Sequence, residues 1–261
     1  MPKIQSNGIN LYYEIHGEGQ PLLFIHGLGS SSRDWELQTE EFSKSYRVIV
    51  FDLRGHGRSD KPRGPYSIPM FAADTVGLLK GLGVESPHVV GLSLGGMIAF
   101  QMGVDAPDAF KSLTIVNSGP EMVVRTFKER ISVWQRLAVT RLLGMRKIGE
   151  VLSKRMFIKP EQEEIRRTFV ERWAENDPRA YLDSTRAIIG WSVSDRVGLI
   201  RCPMLVVAAD EDYTPVSVKE AYVARIPGAR LAVIPDSRHA TPVERPREFN
   251  QVLREFLESL S

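Results

Sequence analysis

Residues 89–97 read VVGLSLGGM, a serine fenced by glycines at the point where an apolar run ends. A serine hydroxyl is a weak nucleophile until a base takes its proton and a third group orients that base. The chemistry therefore asks for three residues together: a sharply presented serine, a histidine and a carboxylate. Such a set transfers acyl groups in two steps through a covalent acyl-enzyme. The chain has five histidines, His16, His26, His56, His88 and His239. Only His239 follows Ser93, and behind a G-x-S-x-G turn the acid and then the histidine come later in the chain. His239 stands in IPDSRHATPVERP, a polar loop between a strand-like run and the last helical segment.

The acid is sought in PMLVVAADEDYTPV, where Asp210, Glu211 and Asp212 follow one another. Counted from Pro203, Asp212 falls just past the strand, where a carboxylate can turn toward His239. Asp210 lies nearer the last strand residue, a place suited to capping a turn. Asp212 is the preferred acid and Asp210 the alternative. An oxyanion needs two convergent N–H donors. The stretch FIHGLGSSSRDW offers one at Leu28, once Gly27 lets the backbone turn, and Leu94 offers the other at the start of a helix. His26 is expected to hydrogen-bond its own loop rather than act as a second base.

These residues need a scaffold, and the remaining sequence describes one. Extended runs are expected at 9–15, 21–25, 46–52, 88–92, 112–117, 203–209 and 229–235, the middle five being short and rich in Val, Ile and Leu. Strands of that kind are buried on both faces, as in parallel sheets. Helical patterns stand between them: 70–83 sets Phe71, Thr75, Leu78, Leu79 and Leu82 on one stripe, and 216–226 and 247–260 behave alike. Alternation of this type predicts an α/β, mostly parallel, doubly wound sheet. It breaks between residues 119 and 196, which carry Met122, Trp134, Leu137, Leu142, Leu143, Met156, Phe157, Trp173 and Trp191 among many charges. That pattern predicts an amphipathic helical cap. The expected organisation is a core of 1–118 and 197–261 with a cap of 119–196 between its two parts. An insertion there overhangs the carboxyl edge of the sheet, so its apolar residues would wall the pocket.

Within G-x-S-x-G the glycines have a steric task. HVVGL runs into SLGGMIAFQMG with almost no loop, and so tight a turn strains its central residue and crowds the neighbouring backbone. Gly91 and Gly95 remove the side chains that would clash. Ser93 is left at the tip, beside the free N–H groups and positive end of a helix.

Composition narrows the partners. A net charge of +2 gives no strong field for nucleic acid or an acidic membrane surface. No run of eighteen apolar residues suggests a membrane span, and the N-terminus lacks the apolar core of a signal peptide. The single cysteine, Cys202, allows no intramolecular disulfide and no cysteine cluster for metal. The expectation is a cytoplasmic protein with a small-molecule substrate, without metal or cofactor.

HGLG at 26–29, DLRGHGRSD at 52–60, GLSLGG at 91–96, the DED loop at 210–212 and SRH at 237–239 together resemble the α/β-hydrolase superfamily. The resemblance spans the whole chain. It points to the lid-bearing branch of carboxylesterases, enol-lactone hydrolases and cofactor-free haloperoxidase or perhydrolase enzymes. In that branch the acid follows a strand as G-x-x-D; here Ala209 replaces the glycine and Asp212 takes the aspartate place. The gap from Asp212 to Pro215 is one residue shorter than is common, which keeps Asp210 as an alternative. Dehalogenases and epoxide hydrolases of the superfamily carry aspartate at the elbow, so serine at 93 argues against them. The resemblance implies hydrolysis of an ester, thioester or lactone, with Asp52, Arg54 and His56 structuring their loop. A small-molecule receptor on the same fold and a perhydrolase-like activity are the alternatives it leaves open.

Overall fold

The computed structural model describes residues 2–260, and of these the side chains of all but 128, 129, 132 and 136. Eight strands form one sheet: β1 (Lys3–Ser6), β2 (Ile9–His16), β3 (Gln20–Ile25), β4 (Tyr46–Phe51), β5 (His88–Leu92), β6 (Ser112–Val116), β7 (Met204–Ala209) and β8 (Arg230–Ile234). Their spatial order is β1-β2-β4-β3-β5-β6-β7-β8. β1 and β2 are antiparallel, and every pairing from β4 to β8 is parallel. This is the mostly parallel α/β sheet expected from the sequence. Only β1 escaped that reading, because four residues of mixed polarity carry no period.

Strand periodicity divides the core into two layers. Leu23 and Ile25 of β3 join Phe71, Leu78, Ile98 and Phe100 on one face. Leu22 and Phe24, one residue out of step, join Trp35, Phe42, Phe249 and Leu253 on the other. Helices α2 (Ile68–Gly81) and α3 (Leu94–Asp105) cover the first face, and α1 (Glu36–Phe42) with the C-terminal helix over Pro246–Glu258 covers the second. Each such side chain, fully buried, stabilises the fold by about 1.5–3 kcal/mol. Of the stripe read in α2, Phe71, Thr75, Leu78 and Leu79 are buried. Ser67 caps that helix by accepting from the Met70 N–H at 3.2 Å.

Between β6 and β7 the chain is helical. It forms α4 (Phe127–Met156), α5 (Glu163–Ala174) and α6 (Pro178–Ile188). Gly144, at φ 77° and ψ 178°, breaks α4. Met145, Ile148, Trp173 and Tyr181 make a small core of their own. The two chain crossings that lead into and out of these helices lie side by side: Met122 N–H donates to Trp191 O at 2.8 Å and Val193 N–H to Pro120 O at 2.8 Å. After β7 come α7 (Val216–Val223), α8 (Thr241–Glu244) and α9 (Pro246–Glu258). Among the described residues, no helix is long and apolar enough to cross a membrane.

Candidate active site

Parallel strands β5, β6 and β7 lie side by side and end at one edge, so the residues following each are neighbours there. Ser93 follows β5 with no loop and holds φ 54° and ψ −113°. A non-glycine residue in that region is strained by about 1–3 kcal/mol and persists only where its surroundings fix it. They do. The Ser93 N–H donates to Val116 O at 3.0 Å, while Ser93 O accepts from Ser118 Oγ at 2.6 Å and Met97 N–H at 3.1 Å. A Cβ on Gly91 would collide with the Gly95 backbone, and one on Gly95 would collide with the carbonyl of Ile25. The glycines therefore let β5, α3 and the end of β3 meet at one point.

The loop after β3 passes that point closely. A Cβ on Gly27 would stand 3.6 Å from both Leu92 O and Ser93 Cβ, so the backbone leading to Leu28 runs in van der Waals contact with the elbow. Leu94 is the first residue of α3, where an N–H has no acceptor within its helix. His26 is fully buried and structural in its contacts: Nε2 accepts from the Leu53 N–H at 2.9 Å and Nδ1 bonds Gly27 O at 2.8 Å. Asp52 likewise serves its loop, accepting the N–H groups of Ser32 and Arg58, each at 2.8 Å. Arg54 is spent in a fork with Asp74, both bonds 2.7 Å.

His239, 8% exposed, pairs with Asp212: Nδ1 lies 2.8 Å from Oδ1. An ionised carboxylate only accepts, so Nδ1 donates to it and Nε2 is the ring nitrogen not engaged by the acid. The Asp212 side chain is wholly buried. Burial pushes its acidity toward weakness, yet the hydrogen bond and charge of His239, and then those of Lys219, hold it below the usual carboxylate range. Asp210 points elsewhere, accepting the N–H groups of Asp236 at 3.0 Å and Ser237 at 3.1 Å. The one-residue-shorter loop thus leaves Asp212 facing the imidazole and uses Asp210 to tie two loops. Tyr213 stacks on the His239 ring, centroids 4.1 Å apart.

Two residues that sequence reasoning missed complete the surroundings. Asn117, at the end of β6 with φ 44°, is buried between two loops. Its Oδ1 accepts from the Ala209 N–H at 2.8 Å, while Nδ2 donates to Arg238 O at 3.1 Å, His239 O at 3.0 Å and Thr241 Oγ1 at 2.7 Å. One amide thereby fastens the histidine loop to the end of the strand that carries the acid. Lys219, on α7, is fully buried, its Nζ 2.8 Å from Asp212 Oδ2 and 2.6 Å from Thr214 O. Sequence gave a signal for neither: an asparagine after a strand reads as a turn, and a lysine on a short helix as a solvated face.

Ser93, His239 and Leu28 all line a cavity of about 990 Å³, which Leu152, Met156, Phe157, Ile165, Phe169 and Trp173 wall from the helices between β6 and β7. Of the nine apolar residues read in the 119–196 stretch, Met122, Met156, Phe157 and Trp173 line it. Trp134 is 71% exposed, and Trp191 spends its Nε1–H on Gln101 Oε1 at 2.8 Å.

Known proteins share this fold. The model of the alpha/beta hydrolase family matches residues 22–252. The RutD protein of Azorhizobium caulinodans, named for carbamate hydrolysis, is 31% identical over 98% of each chain. A solved enol-lactonase from Burkholderia xenovorans LB400 superposes with a TM-score of 0.91, at 25% identity over 98% of this chain and 100% of that one. A solved N-acyl homoserine lactone degrading enzyme gives a TM-score of 0.84 at 34% identity, over 98% of this chain and 100% of its own.

Proposed function

This chain belongs to the alpha/beta hydrolase family, and from that premise we propose that it is a serine hydrolase of carboxylic esters or lactones. The observation that carries the reading is that a strained serine and a carboxylate-bound histidine open on one apolar cavity. Ser93 Oγ attacks the carbonyl carbon and His239 Nε2 takes its proton. Asp212, on the opposite side of the ring, fixes the tautomer and stabilises the imidazolium that forms. The N–H groups of Leu28 and Leu94 receive the oxyanion. The proton then passes from His239 to the leaving alcohol, and a water activated by the same nitrogen releases the acid. No metal or cofactor enters this scheme.

Residues 119–196 act in this reading as a lid that sets substrate range rather than chemistry. Support comes from Met156, Phe157 and Trp173 on the cavity wall. A largely apolar wall favours small substrates with apolar acyl or alcohol portions. The lactone-cleaving relatives argue for including lactones, homoserine lactones among them.

The test is a panel of p-nitrophenyl esters of rising acyl length together with lactones. Turnover that Ser93→Ala abolishes is the expected result. A receptor on this fold would bind members of the panel without consuming them.

A further inference from the structure

Asp212 is unusual in what holds it. Asp52 accepts from the backbone N–H groups of Ser32 and Arg58, and both oxygens of Asp74 meet the one guanidinium of Arg54. Each oxygen of Asp212 instead meets a nitrogen base, Oδ1 the imidazole of His239 and Oδ2 the Nζ of Lys219, both at 2.8 Å. The Lys219 side chain has no exposed surface, and its other bond goes to Thr214 O at 2.6 Å. A cation has therefore been taken wholly out of water to face one carboxylate. That is an expensive arrangement when stability alone is at stake, since apolar replacement of a buried pair is often neutral or better.

We infer that Lys219 is a positioning residue of the proposed triad, setting both the orientation of Asp212 and the share of its charge that His239 receives. The inference rests on the serine-hydrolase reading above. Two bonds on opposite oxygens fix rotation of the carboxylate, so Oδ1 is presented squarely to Nδ1. The ammonium also cancels part of the field that would otherwise stabilise the protonated imidazole. Loss of the ammonium would leave the whole charge of Asp212 facing the imidazole.

Among the described residues, no other ion pair to this carboxylate is present. From α7, besides Lys219, Tyr222 faces it, and its hydroxyl donates to Ser118 O at 2.9 Å. In the acid's own loop, Asp210 is held by Asp236 and Ser237 N–H groups and Glu211 pairs with Arg238 at 2.9 Å. From the histidine loop only His239 reaches it, with Tyr213 stacked on the ring. Lys219 is not among the residues lining the cavity, so its effect on substrate passes through Asp212.

The experiment compares the wild-type chain with Lys219→Gln, which keeps donors but loses the charge, and Lys219→Met, which loses both in a similar volume. Thermal melts first establish that each variant folds. The pH dependence of kcat/KM on a short ester is then measured, and the His239 ring is titrated in parallel by imidazole NMR, assigned with His239→Gln. Removing the charge should move the acid limb, and the ring titration with it, to higher pH by about one unit or more. KM should move little, and Lys219→Met should lose kcat as well, at least about tenfold. A merely structural lysine would lower the melting temperature and leave limb and ring titration where they were; that result in a folded variant overturns the inference. If the wild type turns over no ester and Ser93 takes no acylating probe, the hydrolase reading fails instead. The ring titration, which needs no turnover, still decides the role of Lys219.

Discussion

Replacing Asn117 by alanine perturbs the fastening between the histidine loop and β7 without touching any group proposed to react. The cost follows from what the amide holds. The Ala209 N–H loses its acceptor in a buried place, at about 1–3 kcal/mol, and the bonds to His239 O and Thr241 Oγ1 are worth about 1 kcal/mol each. Alanine at φ 44° adds about 1 kcal/mol, because asparagine tolerates the left-handed region better. Together these come to about 4–6 kcal/mol. With an unfolding entropy of roughly 2.1 cal/mol/K per residue, that is about 7–11 °C in Tm for a chain of 261 residues. The histidine loop, released at its backbone, should also misplace the imidazole by a fraction of an ångström to an ångström and lower kcat/KM about a hundredfold. Thermal unfolding at fixed scan rate and ester kinetics below the melting range measure both quantities. A loss under about 1 kcal/mol, or full activity in the folded variant, would refute the view that this amide hangs the loop.

Other outcomes follow from the same geometry. Asp212→Asn leaves the buried Lys219 ammonium unpaired and should lose about 3–5 kcal/mol of stability by denaturant titration; Asp212→Asn with Lys219→Met should regain most of it but not the activity. Asp210→Asn should cost kcat far less than Asp212→Asn, because its oxygens serve backbone N–H groups away from His239. Burial pushes the His56 imidazole down to about 3, with the neighbouring His26 adding to the shift, and burial followed by Lys111 pushes His88 down to about 4. Both lie below the unfolded value of about 6.5, so the unfolded chain binds the extra protons in this range. Stability is then full above about pH 6.5 and falls toward pH 3–4, each histidine contributing up to about 1.4 kcal/mol per pH unit. Unfolding of His88→Gln measured at pH 6 and pH 4.5 should show a flatter slope than wild type. In the lid, Phe157→Ala and Trp173→Ala should shift relative kcat/KM between short and long acyl esters, whereas Trp134→Ala, on an exposed face, should not.

How much of this was legible in sequence depends on the range of the physics. The elbow could be read because its cause is local: glycines at 91 and 95 have one steric reason to flank a serine where a strand becomes a helix. The sheet could be read from short runs of Val, Ile and Leu, and His239 from its place after Ser93. Asp212 emerged from counting along a loop, with Asp210 kept beside it, since one residue of slack changes which carboxylate turns inward. Asn117 and Lys219 lay beyond reach for a different reason. The Asn117 amide bonds residues 92 to 124 positions away, and no pattern around it announces them. Lys219 is tied to Asp212 and Thr214 of the loop after β7, contacts that the pattern of its own helix does not announce. The inward faces of the helices between β6 and β7 were hidden likewise, as an amphipathic pattern tells that a face is covered but not by what. Trp134 and Trp173 look alike in sequence and end in opposite surroundings.

The central claim is that Ser93 is the nucleophile, and covalent capture tests it most directly. The purified chain is incubated with a fluorophosphonate and, separately, mixed rapidly with a p-nitrophenyl ester, and the modified peptide is located by mass spectrometry. A single adduct on Ser93, lost together with ester turnover in Ser93→Ala and slowed in His239→Ala, is the predicted result. An adduct on any other residue, or turnover that survives Ser93→Ala, would contradict the account.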